Sequence, residues 1–233
     1  IREATEAFGF LAIDKKGYEA DDIIATLSKK ASEEDAVVTI FSSDKDLMQL
    51  VSNDIKMYDP IRNIFINIDR VKEKFGVTPD KVIDVQALVG DTVDNVPGVP
   101  GVGVKTASSL ISEFGNVETL IEKYYTINKD RIRKLISENV DKIILSKRLV
   151  TLHKTIEIET KLEDLELTTL NLEKLLVFTK MMELNTLSKR ISSQLQESNS
   201  SKTSKDDKRE LEPIKRYEII QTENALNRWC EEI

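Results

Sequence analysis

Residues 90–107, GDTVDNVPGVPGVGVKTA, constrain this chain more than any other stretch. Helical spacing lies on either side of a Gly-Val-Gly turn, and Lys-Thr-Ala opens the second helix. That is the pattern of a helix-hairpin-helix. Gly101 and Gly103 carry no Cβ, so the backbone there can approach a phosphate closely. Free N–H groups at the start of the next helix form a ready anion site, and Lys105 adds a positive charge. Such contacts hold a duplex without reading its sequence. Gly98, Gly101, Val102, Gly103, Lys105 and Thr106 are the candidate DNA-contacting residues. The plain alternative is a Gly-Pro loop between two helices. Lys105 after the turn, with Asp91 and Asp94 before it, favours the phosphate-binding reading.

Asp91 and Asp94 belong to a set of seven carboxylates in three short clusters. The others are Glu19, Asp21 and Asp22 in GYEADD, and Asp44 and Asp46 in SSDKDL. Clustered acids repel one another unless something neutralises them. Hard divalent cations such as Mg²⁺ do so through oxygen ligands. Capping accounts for part of the pattern. GYEADD opens a helix, where acids face the positive end of the dipole, and Ser43 with Asp46 fits a capping box. Joint placement points further. Each cluster is expected to follow a strand, at the sheet edge where ligand sites form in open α/β folds. The carboxyl groups of Asp21, Asp44, Asp46 and Asp94 are expected within about 10 Å of one another. Metal-gathering carboxylates ahead of a phosphate-binding turn suggest metal-assisted cleavage of a nucleic-acid backbone.

Around these motifs, residues 10–67 alternate apolar runs with amphipathic helices. FLAI (10–13) and AVVTIF (36–41) read as strands, and DDIIATLSKKA (21–31) as a helix. DKDLMQLV (44–51) reads as a short helix. DIKMYD and NIFINI flank a turn at Pro60–Arg62 and read as a hairpin. The alternation implies a mostly parallel sheet with covering helices. From Pro79 the spacing is helical, with Gly90, Gly115 and Asn139 as stops. TIEIET (155–160) is a short strand or an extended segment. IREATEAFGF reads as a helix capped by Gly9. Residues 196–212 hold one apolar residue, Leu211, and read as a disordered linker. The last segment, with Trp229 and Cys230, begins another strand and helix.

Composition narrows the classes. No run resembles a transmembrane span or a secretory signal. Cys230 is the only cysteine, so no internal disulfide forms and a reducing cytoplasm is expected. His153 is the only histidine, which excludes His-rich zinc sites and argues against a Ser-His-Asp triad. The net charge of −7 argues against nucleic acid for the chain as a whole. Part of that acid, however, would face bound metal, and local groups such as Lys105 would make the DNA contact.

GYEADD, SSDKDLMQLV, GVTPDKVIDVQALVGD, DNVPGVPGVGVKTA and SLISEFG, in this order, resemble the 5′-nuclease domain of bacterial DNA polymerase I. That domain is part of the flap endonuclease superfamily, and the resemblance covers about residues 1–194. It implies an α/β fold, a partial Rossmann-like (PIN-like) parallel sheet followed by a helical helix-hairpin-helix domain. The implied division is 1–77 for the α/β part and 78–194 for the helical part. A linker at 195–213 and the start of a 3′-exonuclease-like domain at 214–233 would follow. Glu19, Asp21, Asp22, Asp44, Asp46, Asp91 and Asp94 would hold two or more Mg²⁺ or Mn²⁺ ions, with Asp21, Asp44, Asp46 and Asp94 as the catalytic group. The hairpin would hold a 5′-flap, nicked or branched DNA duplex and a K⁺ ion. The implied activity is structure-specific 5′-3′ exonuclease or flap endonuclease cleavage in replication and repair. In the family the domain begins roughly a hundred residues earlier, a length within the range of part of one domain. That part carries a first strand, two further aspartates and a basic arch. A chain without it is expected to cleave poorly alone. The alternatives are a non-catalytic DNA-binding fragment that uses only the hairpin, or half of a split nuclease with the missing segment as a separate chain.

Overall fold

The structure, a computed structural model, describes residues 1–202, with side chains as far as Gln196. Ten helices and three strands are described. They run α1 (Arg2–Ala7), α2 (Ala20–Glu33), β1 (Val38–Phe41), β2 (Ile55–Asp59), β3 (Ile64–Ile66) and α3 (Ile68–Phe75). There follow α4 (Val82–Val89), α5 (Val104–Phe114), α6 (Val117–Lys123), α7 (Asp130–Glu138), α8 (Val140–Val150), α9 (Leu172–Met181) and α10 (Asn185–Lys202). The expected strand and helix around Trp229 and Cys230 lie outside the described residues. So does the expected linker past Lys202. Its first residues instead continue α10, which has no Gly or Pro to stop it.

Two compact units divide the chain. Ile1–Gly9 and the chain from Thr169 form one, and Phe10–Thr168 form the other. In the first, α1, α9 and α10 meet around buried Ala7, Leu175 and Ile191. The second holds every candidate site residue. Its sheet has the order β1-β2-β3. β1 and β2 are parallel, with Val38 opposite Ile55. β2 and β3 form the expected antiparallel hairpin, with Tyr58 opposite Phe65. Ile40, Met57 and Ile66 face the core, and the aromatic residues Phe41, Tyr58 and Phe65 alternate to the other face.

Two local expectations are corrected and one is narrowed. FLAI forms no strand, because a strand exists only as one member of a ladder and no pairing among the described residues engages 10–13. DKDLMQLV keeps its short helix, but as a 3₁₀ helix confined to Asp46–Leu50 that buries Leu47, Met48, Gln49 and Leu50. The first helix of the helix-hairpin-helix is α4, and a structured loop over 90–103 separates it from α5. The third acid cluster therefore follows a helix, not a strand.

α4 is the central element. Its sequence VIDVQALV is apolar nearly all round, the signature of a helix buried on every side. Its buried Asp84 does not stand alone. Oδ1 accepts from Lys147 Nζ at 2.8 Å and from the Val117 backbone N–H at 3.1 Å. Lys147 also reaches Glu118. A buried carboxylate is tolerable only with such partners, and here they tie α4, α6 and α8 together. Buried Gln49 anchors the 3₁₀ turn in the same way, donating from Nε2 to the Val150 carbonyl at 2.8 Å. No helix among the described residues is long and apolar enough to cross a membrane.

Candidate functional site

Each acid cluster is placed by a different local device. Glu19 is the N-cap of α2 and forms a capping box with Asp22. Asp22 is buried, and its Oδ1 also accepts from the His153 backbone N–H at 2.9 Å. Asp22 thus pins the segment after α8 onto the start of α2. Asp21, in the same first turn, is half-buried. At the end of β1 the backbone folds on its own side chains. Ser42 Oγ accepts from Asp44 N at 3.0 Å, and Asp44 Oδ1 accepts from Asp46 N at 2.9 Å. The capping box expected from Ser43 gives way to this chain of short turns. The third cluster rides a small closed loop. Asp91 and Val96 exchange backbone hydrogen bonds of 2.9 and 2.7 Å, and Asp91 Oδ1 accepts from Val93 N at 2.8 Å. Asp94 stands exposed at the tip.

Electrostatics show which residues share a field. Burial raises the Asp21 carboxyl to about 6, helped in order by Asp44, Asp46, Glu19 and Asp22. Burial also raises Asp46, against a lowering hydrogen bond from Gln86, and Asp44 and Asp94 add to the rise. Charges from all three clusters therefore act on one another. Lys45 is the counter-charge supplied by the chain itself. Its ammonium pairs with Asp91, whose carboxyl this contact holds below its usual value. Burial works against the Lys45 charge, yet Asp91 keeps the ammonium above its usual pKa. So Asp44 and Asp46 press on Asp21, Asp44 and Asp94 press on Asp46, Glu19 adds charge from the exposed rim, and Asp22 and Asp91 are engaged within the protein. As the side chains stand, no three His, Cys, Asp or Glu among the described residues are close enough to hold a metal ion.

The hairpin is built from backbone. The Val99 carbonyl accepts from Val102 N at 3.0 Å, closing a turn over Val-Pro-Gly-Val in which Gly101 has φ +84°. Proline followed by a left-handed glycine is the signature of a type II turn. Gly98, at φ +55°, lies back to back with Gly90. A Cβ on Gly98 would stand 2.5 Å from Gly90 N. The Gly98 N–H donates to Ser146 Oγ of α8 at 2.9 Å. Gly98 and Val102 are thus buried and hold the turn in place. Gly101, Gly103 and Lys105 are exposed, and Thr106 is half-buried. Gly103 is the N-cap of α5 and makes no side-chain cap, so the first N–H groups of the helix have no side-chain acceptor from it.

Several residues of the site were not singled out from sequence. Arg131 of α7 lies beside the turn, with Nη2 3.7 Å from where a Gly101 Cβ would stand. Arg131, Lys129 and Lys105 line an open groove of about 720 Å³ between α5 and α7. Ser146 and Gln86 support the hairpin and the acid edge from the core. Their partners are 48 and 40 residues away in sequence, so no local pattern announces them.

Two family models cover this arrangement. The 5′-3′ exonuclease N-terminal resolvase-like domain matches residues 1–76, and the 5′-3′ exonuclease C-terminal SAM fold matches residues 77–173. The chain belongs to the 5′-3′ exonuclease family. It is 48% identical over 191 residues to the DNA polymerase I of Rhizobium leguminosarum, covering 82% of this chain and 19% of that protein. It is 38% identical over 193 residues to the 5′-3′ exonuclease of Aquifex aeolicus, covering 82% of this chain and 65% of that one. The chain thus spans less than two thirds of the length of each. In three dimensions it resembles T5 5′-exonuclease solved with divalent zinc ions bound. The TM-score is 0.57 at 25% identity, over 60% of this chain and 52% of that one.

Proposed function

We propose that this chain supplies the acid edge and the duplex-holding hairpin of a metal-dependent 5′-3′ exonuclease or flap endonuclease acting on DNA. The observation that carries this reading is the convergence of charge. Asp44, Asp46, Glu19 and Asp22 raise the Asp21 carboxyl, and Asp44 and Asp94 raise that of Asp46, so charge from three clusters remote in sequence reaches one place. A fold keeps such repulsion where a cation relieves it. The donor set is hard oxygen throughout, which suits Mg²⁺ or Mn²⁺. Asp44 and Asp94 are exposed and can swing inward, whereas Asp46 is held from below. Bound divalent cations would supply the positive charge that steadies a phosphodiester as it is cleaved.

The chain's own groups do the rest. Asp21, Asp44, Asp46 and Asp94 gather the cations. Asp22 and Asp91 orient the loops that carry them, through the capping box and through Lys45. The N–H groups of Gly103 and the start of α5, with Lys105 and Arg131, grip backbone phosphates. A flap, nick or branch in the duplex is the substrate geometry that the family likeness favours. The test is cleavage of an end-labelled 5′-flap duplex in Mg²⁺ or Mn²⁺. Asp44→Asn should lower cleavage by about 100-fold or more while leaving duplex binding in Ca²⁺ intact. Cleavage that survives Asp44→Asn overturns the assignment. The second reading is DNA binding by the hairpin without catalysis. The open spacing of the acids favours it, and duplex binding with no cleavage even when the family's preceding segment is supplied would select it.

A further inference from the structure

Gln86 occupies a place in α4 where an apolar side chain would fit. Its neighbours Val82, Val85, Ala87 and Leu88 are all buried, and Gln86 itself is 5% exposed. Its Nε2 donates to Asp46 Oδ1. Its Oε1 is buried without a hydrogen-bond partner. An orphaned buried acceptor costs about 1–3 kcal/mol. Fold stability alone therefore does not ask for glutamine here. The buried amide makes sense if the single N–H it aims at Asp46 is what matters.

We propose that Gln86 is a positioning residue for Asp46, fixing that carboxylate for divalent-cation capture. This rests on the metal-gathering reading of the acid edge. The backbone of Asp46 is already set by the hydrogen bond from its N–H to Asp44 Oδ1, 2.9 Å long. What remains free is rotation of the Asp46 carboxylate. An amide on a buried helix holds Oδ1 and leaves Oδ2 free of that bond. Asp44 and Asp94 have no such support from the core and are exposed, so Asp46 is the fixed point around which the others close. Partners that orient a ligating group typically contribute 10–100-fold in metal affinity.

The test is Mn²⁺ binding to the whole chain, read by the electron paramagnetic resonance signal of free Mn²⁺, with Tm in EDTA measured alongside. Gln86→Met is expected to weaken Mn²⁺ binding about tenfold. Its Tm in EDTA should change little, because loss of the N–H to Asp46 is offset by removal of the orphaned oxygen. In an Asp46→Asn background the same substitution should cost nothing further, since its target is already lost. Equal Mn²⁺ affinity in wild type and Gln86→Met overturns the positioning role while leaving the metal site standing. So does an equal loss in the Asp46→Asn background. A wild-type chain that binds no Mn²⁺ fails at the earlier step and removes both. Gln86→Leu serves if the methionine variant does not fold. Unfolding of both variants makes Gln86 a structural residue and overturns the proposal.

Discussion

The hairpin over 96–106 and the acid edge over 19–46 and 91–94 lie in one compact unit and are built on opposite principles. The hairpin is backbone. Gly90 and Gly98 interlock, Ser146 holds a buried N–H, and Val99 and Val102 close the turn. Its working groups are already exposed. The acid edge is side chain. Its carboxylates act on one another, Lys45 pairs with Asp91 beside them, and burial adds to the rise at Asp21 and Asp46. On the proposed reading, the first region is a ready-made surface and the second a set of charges that a cation would neutralise. Binding surfaces that must grip many sequences benefit from a fixed backbone shape. A site meant to take up cations benefits from charge left unneutralised.

That contrast predicts opposite responses to mutation. The largest effect should come from Gly98→Ala. Its Cβ would press on backbone at 2.5 to 2.7 Å, at φ +55°. Backbone on the far side cannot yield as a flexible side chain would. The expected loss is about 4 kcal/mol or more, a fall in Tm of roughly 10 °C. Gly101→Ala, at φ +84° but meeting only Arg131 Nη2 at an ordinary 3.7 Å, should cost only about 1–2 kcal/mol. Equal losses at the two positions would mean that the hairpin is not locked through Gly98.

At the acid edge, removing charge should stabilise. Asp21 has a folded carboxyl pKa of about 6 against an ordinary 3.8. A raised carboxyl leaves stability untouched below the unfolded value and subtracts from it as pH climbs through the folded one. Asp21→Asn in EDTA should therefore gain about 1 kcal/mol at pH 7.5, a figure reduced for the group's partial exposure. The gain should vanish below about pH 4. Mn²⁺ should raise the Tm of wild type and do so less for Asp21→Asn. A variant less stable than wild type at pH 7.5 in EDTA would show that the acids do not repel.

The smallest change is expected at Lys105, an exposed group. Lys105→Ala should weaken duplex binding by a similar factor for unrelated sequences and flatten the salt slope by about one unit. Arg131→Ala should behave the same way. A loss confined to one sequence would replace phosphate contact with base reading.

What was legible in the sequence follows the same division. The glycines of the hairpin and the acids of the three clusters stand out because their chemistry is local. A left-handed turn needs glycine, and like charges rarely crowd without cause. The hairpin of β2 and β3 was equally plain from its alternation. FLAI failed as a strand because four apolar residues do not make a ladder without a neighbour. The supports were hidden for another reason. Lys45 sits between two acids and reads as simple charge balance, while its actual partner is Asp91, reached only through the fold. Arg131 reads as one of many surface cations on α7. Gln86 and Asp84 did carry a signal, two polar residues inside the apolar run VIDVQALV. Buried polar residues on an all-apolar helix mark contacts that the sequence cannot name.

The convergence of the three acid clusters is tested most directly by carboxyl-carbon NMR titration of Asp21, in EDTA and then in Mg²⁺. Without metal, Asp21 should titrate near 6, and Asp44→Asn should bring it down. Saturating Mg²⁺ should shift the titration well to the acid side, since a bound cation favours the charged form. A carboxyl that titrates near 3.8 in EDTA, indifferent to Asp44→Asn and to Mg²⁺, would mean that the clusters do not form a common site.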